Sequence, residues 1–466
     1  MRKILLPVFL ITFSSSFLFS QDIAVKLKKA LAKFESDSQL SHASIGFLVI
    51  DAKTGKTIVE KNPEIGLAPA SCQKVLTAAS AYELLGSDYK FKTEFRYDGT
   101  IADSVLKGNL YIIGKGDPSF ASWRYTLSTP QTIAKELVDA LHHAGVSKII
   151  GQIISVNTGF DSQNIPDGWI WEDIGNYYGA GIGSLVWNEN QFDLILKPGK
   201  NQGDSVKIIG TKPEYHFQLI NELKTGAKES GDNAYMYFSP GVEYGYLRGT
   251  IPCCVDSFAI SASVTDGEEF ARDQIISILN SNHFFVDATA IKSGSSSKYN
   301  YSSNLIFTKI SPSLDSLTYW FLKKSINLYG EAYLKSIALE KGGFASTTKG
   351  VDIVQDFWEH RGIERSSISI MDGSGLSPQN RITPRALVQI LQYAKTRPWY
   401  NGFYNGLPEI NGIHMKSGSI EGARSYTGYI KNNNGIEYTF AIIVNNFSGN
   451  ASTVVRKMWV LLDTMK

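Results

Sequence analysis

The stretch from Lys74 to Leu84 constrains this chain most: Val75, Leu76, Ala79, Tyr82 and Leu84 recur at helical spacing and require a buried helix. Immediately before it stands Ala68-Pro69-Ala70-Ser71-Cys72-Gln73-Lys74. Pro69 disfavours helix upstream, so the sequence predicts that the helix opens at Ser71. Ser71 and Lys74 are three residues apart and so share one helix face. A serine at a helix N-terminus sits beside free backbone N–H groups and the positive end of the dipole. A partly desolvated lysine nearby can give up its proton and take one from the hydroxyl. This is the chemistry of a nucleophile that needs no histidine. Ser-x-x-Lys also occurs at Ser87, Ser104, Ser295 and Ser346; only Ser71 stands at the mouth of an apolar helix.

The first twenty residues read as a secretory leader. Arg2 and Lys3 precede an apolar run from Ile4 to Ile11, then a serine-rich patch and Ser20. That run is short for a bilayer span, and no other stretch of the chain is apolar enough for one. Removing residues 1–20 takes two basic residues and no acidic one from a total of 46 Lys+Arg against 44 Asp+Glu. The mature chain is then uncharged overall, which argues against nucleic acid or an anionic membrane surface as a partner. Three cysteines do not make a disulfide scaffold. Cys72 reads as a small apolar helix residue, and the adjacent Cys253 and Cys254 as two buried thiols.

Ile23 to Phe34 carries an amphipathic stripe, and Ala43–Ile50 with Thr57–Glu60 flanks a turn, Lys53-Thr54-Gly55-Lys56, as in a β-hairpin. From about Phe91 the texture changes to short strand-like runs divided by Gly, Asn and Asp, with helical patterns at Gln131–His143 and Asp266–Asn280. Helices return in Leu314–Lys324, Leu328–Leu339 and Ala386–Ala394. A run of antiparallel strands (His414–Ser419, Tyr426–Lys431, Ile436–Asn445) and a helix from Thr453 close the chain. The expected division is a leader at 1–20 and a main domain from 21–95 plus 286–466. Two insertions complete it, one from 96–190 plus 250–285 and a β-rich one from 191–249. The Gly114-Lys115-Gly116-Asp117-Pro118 turn lacks the third glycine and following helix of a phosphate cradle.

Two further short motifs accompany Ser71. Ser325-Ile326-Asn327 interrupts two helices, where a hydroxyl and an amide can project into a cleft. Lys416-Ser417-Gly418-Ser419 lies on a strand, with a glycine that permits close backbone approach. Each recurs elsewhere in the chain, so it is their order along the sequence that carries weight. That order resembles the penicillin-binding enzymes that share a fold with serine β-lactamases, and within them the class C D-alanyl-D-alanine carboxypeptidase/endopeptidases. Pro69-Ala70-Ser71, Gly114–Pro118, Gly168-Trp169, Asp372–Ser377 and the long gap between Lys74 and Ser325 fit that class.

The resemblance implies a multi-domain α/β protein whose DD-peptidase domain is an antiparallel sheet flanked by helices, with inserted β-rich domains. It implies that Ser71 attacks the carbonyl between two D-alanines of a peptidoglycan stem peptide or crosslink, with Lys74 as general base and Lys416 as the competing candidate. Ser325 would relay a proton to the leaving amine, and Asn327 would bind the substrate amide and steady Lys74. Lys416 and Ser417 would hold the terminal carboxylate. The glycine at 418 lets the backbone approach, and the N–H groups of Ser71 and Ser419 would form an oxyanion hole worth about 3–4 kcal/mol per donor. β-Lactams would acylate Ser71 as slow mimics, and the protein would act in the periplasm or cell envelope.

The sequence departs from the family pattern at Ser417, where threonine is commoner, at Asn157, near which relatives often carry aspartate, and at Pro378, where they often carry arginine. The last two bear on the third stem residue. A β-lactamase would share the nucleophile but not the long insertion, and a non-catalytic wall-binding protein would have no need of intact Ser71, Lys74 and Lys416. No Gly-x-Ser-x-Gly stands on a strand-to-helix turn, and the seven histidines show no His-Glu-x-x-His spacing, so neither an α/β-hydrolase nor a metal enzyme is expected and no cofactor is called for.

Overall fold

The computed structural model describes residues 14–239, 242, 244–286 and 303–466. Residues 1–13 of the expected leader lie outside these, as does the Ser-x-x-Lys copy at Ser295; from Ser14 the backbone is helical to Glu35.

Ser44–Asp51 and Thr57–Lys61 form the expected hairpin. Asp51 Oδ1 closes its turn by accepting from the amides of Lys53 at 3.1 Å and Thr54 at 2.7 Å. Ser44–Asp51 also pairs with Glu437–Asn445, and Ala423–Lys431, Ile413–Ile420 and Glu409–Ile410 follow in order. The result is a six-stranded antiparallel sheet made from both ends of the chain. Its side chains alternate as a pleat requires. Phe47, Val49, Phe440, Ile442 and Val444 meet Leu27, Leu31, Val454 and Met458 of the two terminal helices, Ser14–Glu35 and Ala451–Asp463. Leu48, Ile50, Ala441 and Ile443 face the opposite way, into a second apolar core. Both faces are covered, which is why these strands read as nearly continuous apolar runs.

That second core surrounds the Lys74–Leu84 helix, which packs against Leu314–Lys323, Asn327–Gly342, Thr347–Glu359 and Pro384–Lys395. It is buried from Lys74 to Tyr82. The start of the helix differs from expectation. Ala70–Gln73 forms a 3-10 turn, and the α-helix begins at Lys74 rather than Ser71. Ala70 takes a φ of +46°, and the Cys72 amide bonds back three residues to the Pro69 carbonyl at 3.2 Å, so the chain winds tightly before it relaxes into α geometry. Polar caps start the neighbouring helices: Ser313, Ser346 and Thr383 accept from Ser316, Lys349 and Ala386 amides. Ser346, one of the stray Ser-x-x-Lys serines, is thereby a helix cap.

The middle of the chain has its own core. Lys92–Tyr97 pairs with Leu110–Gly114 on one side and with Asn304–Ile310 on the other, and Leu110–Gly114 pairs in parallel with Ile153–Asn157. The helices Pro130–His143 and Gly267–Ser281 and the sheet Lys207–Lys212, Gln191–Lys197, Phe258–Ser263 share one apolar cluster with it. Tyr244–Pro252 joins Gln218–Asn221, Lys224–Gly226 and Asn233–Tyr237 in a further sheet. Cys72 is buried as expected, but Cys253 and Cys254 are not buried thiols: they stand half-buried and exposed in the turn after Tyr244–Pro252, with sulfurs 2.8 Å apart and Cys254 at a φ of +66°. A turn between strands is at the surface, and that position overrides the apolar character of the residue. Among the described residues, no helix is long and apolar enough to cross a membrane.

Candidate active site

The 3-10 turn leaves Ser71 half-exposed while Cys72, Gln73 and Lys74 are buried. Lys74, the first residue of the α-helix, points back beneath the turn, and its Nζ lies 2.9 Å from Ser71 Oγ. Two other oxygens lie closer: Asn327 Oδ1 at 2.6 Å and the Ser374 carbonyl at 2.7 Å. The orientation of Asn327 is fixed by its other end, whose Nδ2 donates to the Tyr178 carbonyl at 2.8 Å. Asn327 opens its helix directly after the kink at Ser325, whose φ is +58°.

Lys74 is fully buried. Burial first, and the charge of nearby Lys416 second, hold its amine well below the usual lysine range. A neutral amine has two N–H donors and one lone pair. Asn327 Oδ1 and the Ser374 carbonyl can only accept, so they take both hydrogens. In that neutral form the lone pair is left facing Ser71 Oγ, 2.9 Å away, placed to accept its proton. The site thus supplies a hydroxyl with its base already aimed.

Lys416 reaches the same region from the Ile413–Ile420 strand. It is 1% exposed, its Nζ donates to the Ser417 carbonyl at 2.8 Å, and burial lowers its pKa to about 8. It therefore keeps its charge at neutral pH. This strand is bound to the Ser71 turn: Cys72 Sγ donates to the Lys416 carbonyl at 3.1 Å, and Ser425 Oγ, from the next strand, donates to the Pro69 carbonyl at 2.5 Å. Gly418 lies between them. A Cβ there would stand 2.2 Å from Ser425 Oγ and 2.4 Å from the Pro69 oxygen. Ser417 is half-buried and Ser419 exposed on the same strand. Ser325 is half-buried at the helix break, and among the described residues its hydroxyl, like those of Ser417 and Ser419, bonds to neither Ser71 nor Lys74.

The sequence reading singled out Asp372–Ser377 as a pattern without giving its parts a role at Lys74. Asp372, fully buried, accepts from the amides of Gly375 at 2.8 Å and Ser377 at 2.7 Å, from Asn380 Nδ2 at 3.0 Å, from Trp169 Nε1 at 2.9 Å and from Gln73 Nε2 at 3.1 Å. The loop is thereby tied to the residue just before Lys74 and to the Trp169 segment. Glu331, one helical turn after Asn327, accepts the Gly373 amide with both oxygens. The Ser374 carbonyl has no signal in sequence, because any residue supplies one. Asp372 is a carboxylate inside the Asp372–Ser377 pattern, whereas Glu331 is a single acid among apolar helix neighbours.

A cleft of about 1710 Å³ runs along Trp169, Tyr215 and Phe217 and does not contain Ser71. Convergent polar groups, rather than volume, mark the reactive centre. No three His, Cys, Asp or Glu side chains among the described residues meet where a metal ion could be held.

A D-alanyl-D-alanine carboxypeptidase of Actinomadura sp. is 25% identical over 458 residues, covering 92% of this chain and 83% of that protein. The D-alanyl-D-alanine carboxypeptidase DacB of Haemophilus influenzae is 23% identical over 428 residues, covering 87% and 86%. The crystal structure of penicillin binding protein 4 (dacB) from Haemophilus influenzae shares the fold, with a TM-score of 0.79 at 20% identity over 95% of this chain and 99% of that one. Residues 27–413 match a family described as the D-Ala-D-Ala carboxypeptidase 3 (S13) family. On a match spanning most of its length, the chain belongs to the D-Ala-D-Ala carboxypeptidase 3 (S13) family.

Proposed function

We propose that this protein hydrolyses the D-Ala-D-Ala bond of peptidoglycan stem peptides, and the equivalent D-alanine crosslink, through an acyl-enzyme at Ser71. The observation that carries this is the convergence of Ser71 Oγ, Asn327 Oδ1 and the Ser374 carbonyl on Lys74 Nζ: once the amine is neutral, the last two take its hydrogens and the lone pair is left for the Ser71 proton. Ser71 Oγ attacks the carbonyl carbon as its proton passes to Lys74 Nζ. The N–H groups of Ser71 and Ser419 receive the oxyanion, where each donor is worth about 3–4 kcal/mol. Ser325 relays the proton from Lys74 to the nitrogen of the leaving D-alanine, the C–N bond breaks, and water hydrolyses the ester. Lys416, still charged, holds the terminal carboxylate together with Ser417.

β-Lactams are read as acylating the same oxygen. In support, a relative of the same fold, penicillin binding protein 4 from Haemophilus influenzae, is described as complexed with a β-lactam. The leader-like residues 1–20 and a wall substrate support export to the periplasm or cell envelope. The division into a peptidase domain (21–95 plus 286–466) and insertions at 96–190 plus 250–285 and 191–249 is proposed as well. The pairing of Lys92–Tyr97 with Asn304–Ile310 supports joints inside those peptidase limits, before Lys92 and after Ile310, because both strands contribute to the core of the insertion. The test is release of D-alanine from a pentapeptide ending in D-Ala-D-Ala. Wild type releases it and Ser71→Ala does not; release by Ser71→Ala overturns the proposal.

A further inference from the structure

Lys74 depends on a main-chain oxygen, and something must hold that oxygen in place. The Ser374 carbonyl sits in the turn after Asp372, and the preceding amide, Gly373 N, donates to Glu331 Oε1 at 3.1 Å and Oε2 at 3.0 Å. Glu331 is 0% exposed and lies four residues along the same helix from Asn327, so the two side chains project from one face. The backbones are in contact here: a Cβ on Gly373 would stand 2.2 Å from the Gly330 oxygen. Among the described residues, no cation lies within ion-pair distance of Glu331. A carboxyl removed from water without an ion pair is costly and calls for an explanation.

We infer that Glu331 is a positioning residue, holding the Gly373–Ser374 turn so that the Ser374 carbonyl takes one Lys74 hydrogen and the amine's lone pair stays aimed at Ser71. The inference rests on the reading of Lys74 as the base. The charged or titratable groups facing Glu331 are Asp372 across the turn, Lys74 from the nucleophile helix and Lys335 on the next turn of its own helix. Burial first, and the charge of Asp372 second, push Glu331 up to about 8. At neutral pH it keeps its proton and adds no negative charge that would hold a proton on Lys74. Above that value a second anion forms beside Asp372 and draws a proton back on to the amine. Asn327 and Glu331 thus serve one atom from one helix face, Asn327 directly and Glu331 through the turn.

The test measures acylation of the full chain by a fluorescent penicillin, separating the rate constant for ester formation from the dissociation constant of the preceding complex. Glu331→Ala is expected to slow ester formation by roughly tenfold or more, the scale of one lost buried hydrogen bond, with little change in the dissociation constant. Glu331→Gln still accepts the Gly373 amide but cannot ionise. It is expected to recover most of the rate at neutral pH and to carry that rate further into the alkaline range than wild type does. The inference is overturned if Glu331→Ala acylates at the wild-type rate, if alanine and glutamine lose equally, or if glutamine leaves the alkaline decline unmoved. Should the alanine variant not fold, the glutamine arm decides alone. Labelling that persists in Ser71→Ala removes the underlying reading; labelling confined to Ser71 with indifferent Glu331 variants removes this inference only.

Discussion

Asn327 Oδ1 lies 2.6 Å from Lys74 Nζ, although the two residues are 253 positions apart in the chain. That contact joins the front and rear segments of the sequence at the reactive centre. The other end of the same amide holds the Tyr178 carbonyl, so one side chain also ties the middle of the chain to the site.

Removing Lys74 removes the base. Lys74→Ala is expected to lower the rate of acylation of Ser71 by about 10²–10⁴-fold, the usual contribution of general-base catalysis. Stopped-flow measurement with a chromogenic β-lactam reads this directly. A loss below tenfold would assign the base to Lys416.

Asn327→Ala strands one Lys74 hydrogen and the Tyr178 carbonyl together. Leaving buried polar groups unpaired costs about 1–3 kcal/mol, so acylation is expected to slow by roughly 10–100-fold. Asn327→Asp adds a carboxylate that keeps the amine protonated, and it is expected to be slower still at neutral pH. An aspartate variant faster than the alanine variant contradicts this reading.

The pH dependence should have two limbs of different origin. Because burial holds Lys74 well below the usual lysine range, the rising limb is expected at a lower pH than an ordinary lysine would give. Lys416 loses its charge as pH rises through about 8. The grip on a substrate carboxylate then weakens, and KM rises on the alkaline side. Lys416→Ala is expected to raise KM at neutral pH and to abolish that alkaline rise. Initial-rate measurements of D-alanine release across pH decide the point.

Gly418 is held without a side chain by its neighbours. Gly418→Ala sets a methyl group 2.2 Å from Ser425 Oγ and 2.4 Å from the Pro69 oxygen. The strand and the Ser71 turn must separate, at a cost of about 1–3 kcal/mol in stability. Thermal unfolding should show a lowered Tm, and acylation should slow with it, because the same contacts set the position of Ser71.

Much of this arrangement is legible in the sequence, for identifiable reasons. The hairpin at 44–61, the helices at 314–342 and the C-terminal strands follow from periodicity and turn residues, which are local signals. Ser71, Lys74 and Asn327 converge because side-chain type carries their chemistry. What was hidden is non-local or lacks a side chain. The Ser374 carbonyl belongs to no residue type. Glu331 is one inward acid on a helix whose apolar neighbours dominate the pattern. The pairing of Lys92–Tyr97 with Asn304–Ile310 depends on register across most of the chain. The 3-10 turn at Ala70 arises from tertiary contacts with the 416–425 hairpin, which no window around Ser71 contains.

The central claim is that Ser71 Oγ, deprotonated by Lys74, becomes the ester oxygen. The most direct measurement is mass-spectrometric mapping of the site labelled by fluorescent penicillin, in wild type, Ser71→Ala and Lys74→Ala. A stable adduct on Ser71 in wild type, none in Ser71→Ala and slow labelling in Lys74→Ala is the expected result. An adduct on any other residue, or undiminished labelling of Ser71→Ala, would contradict it.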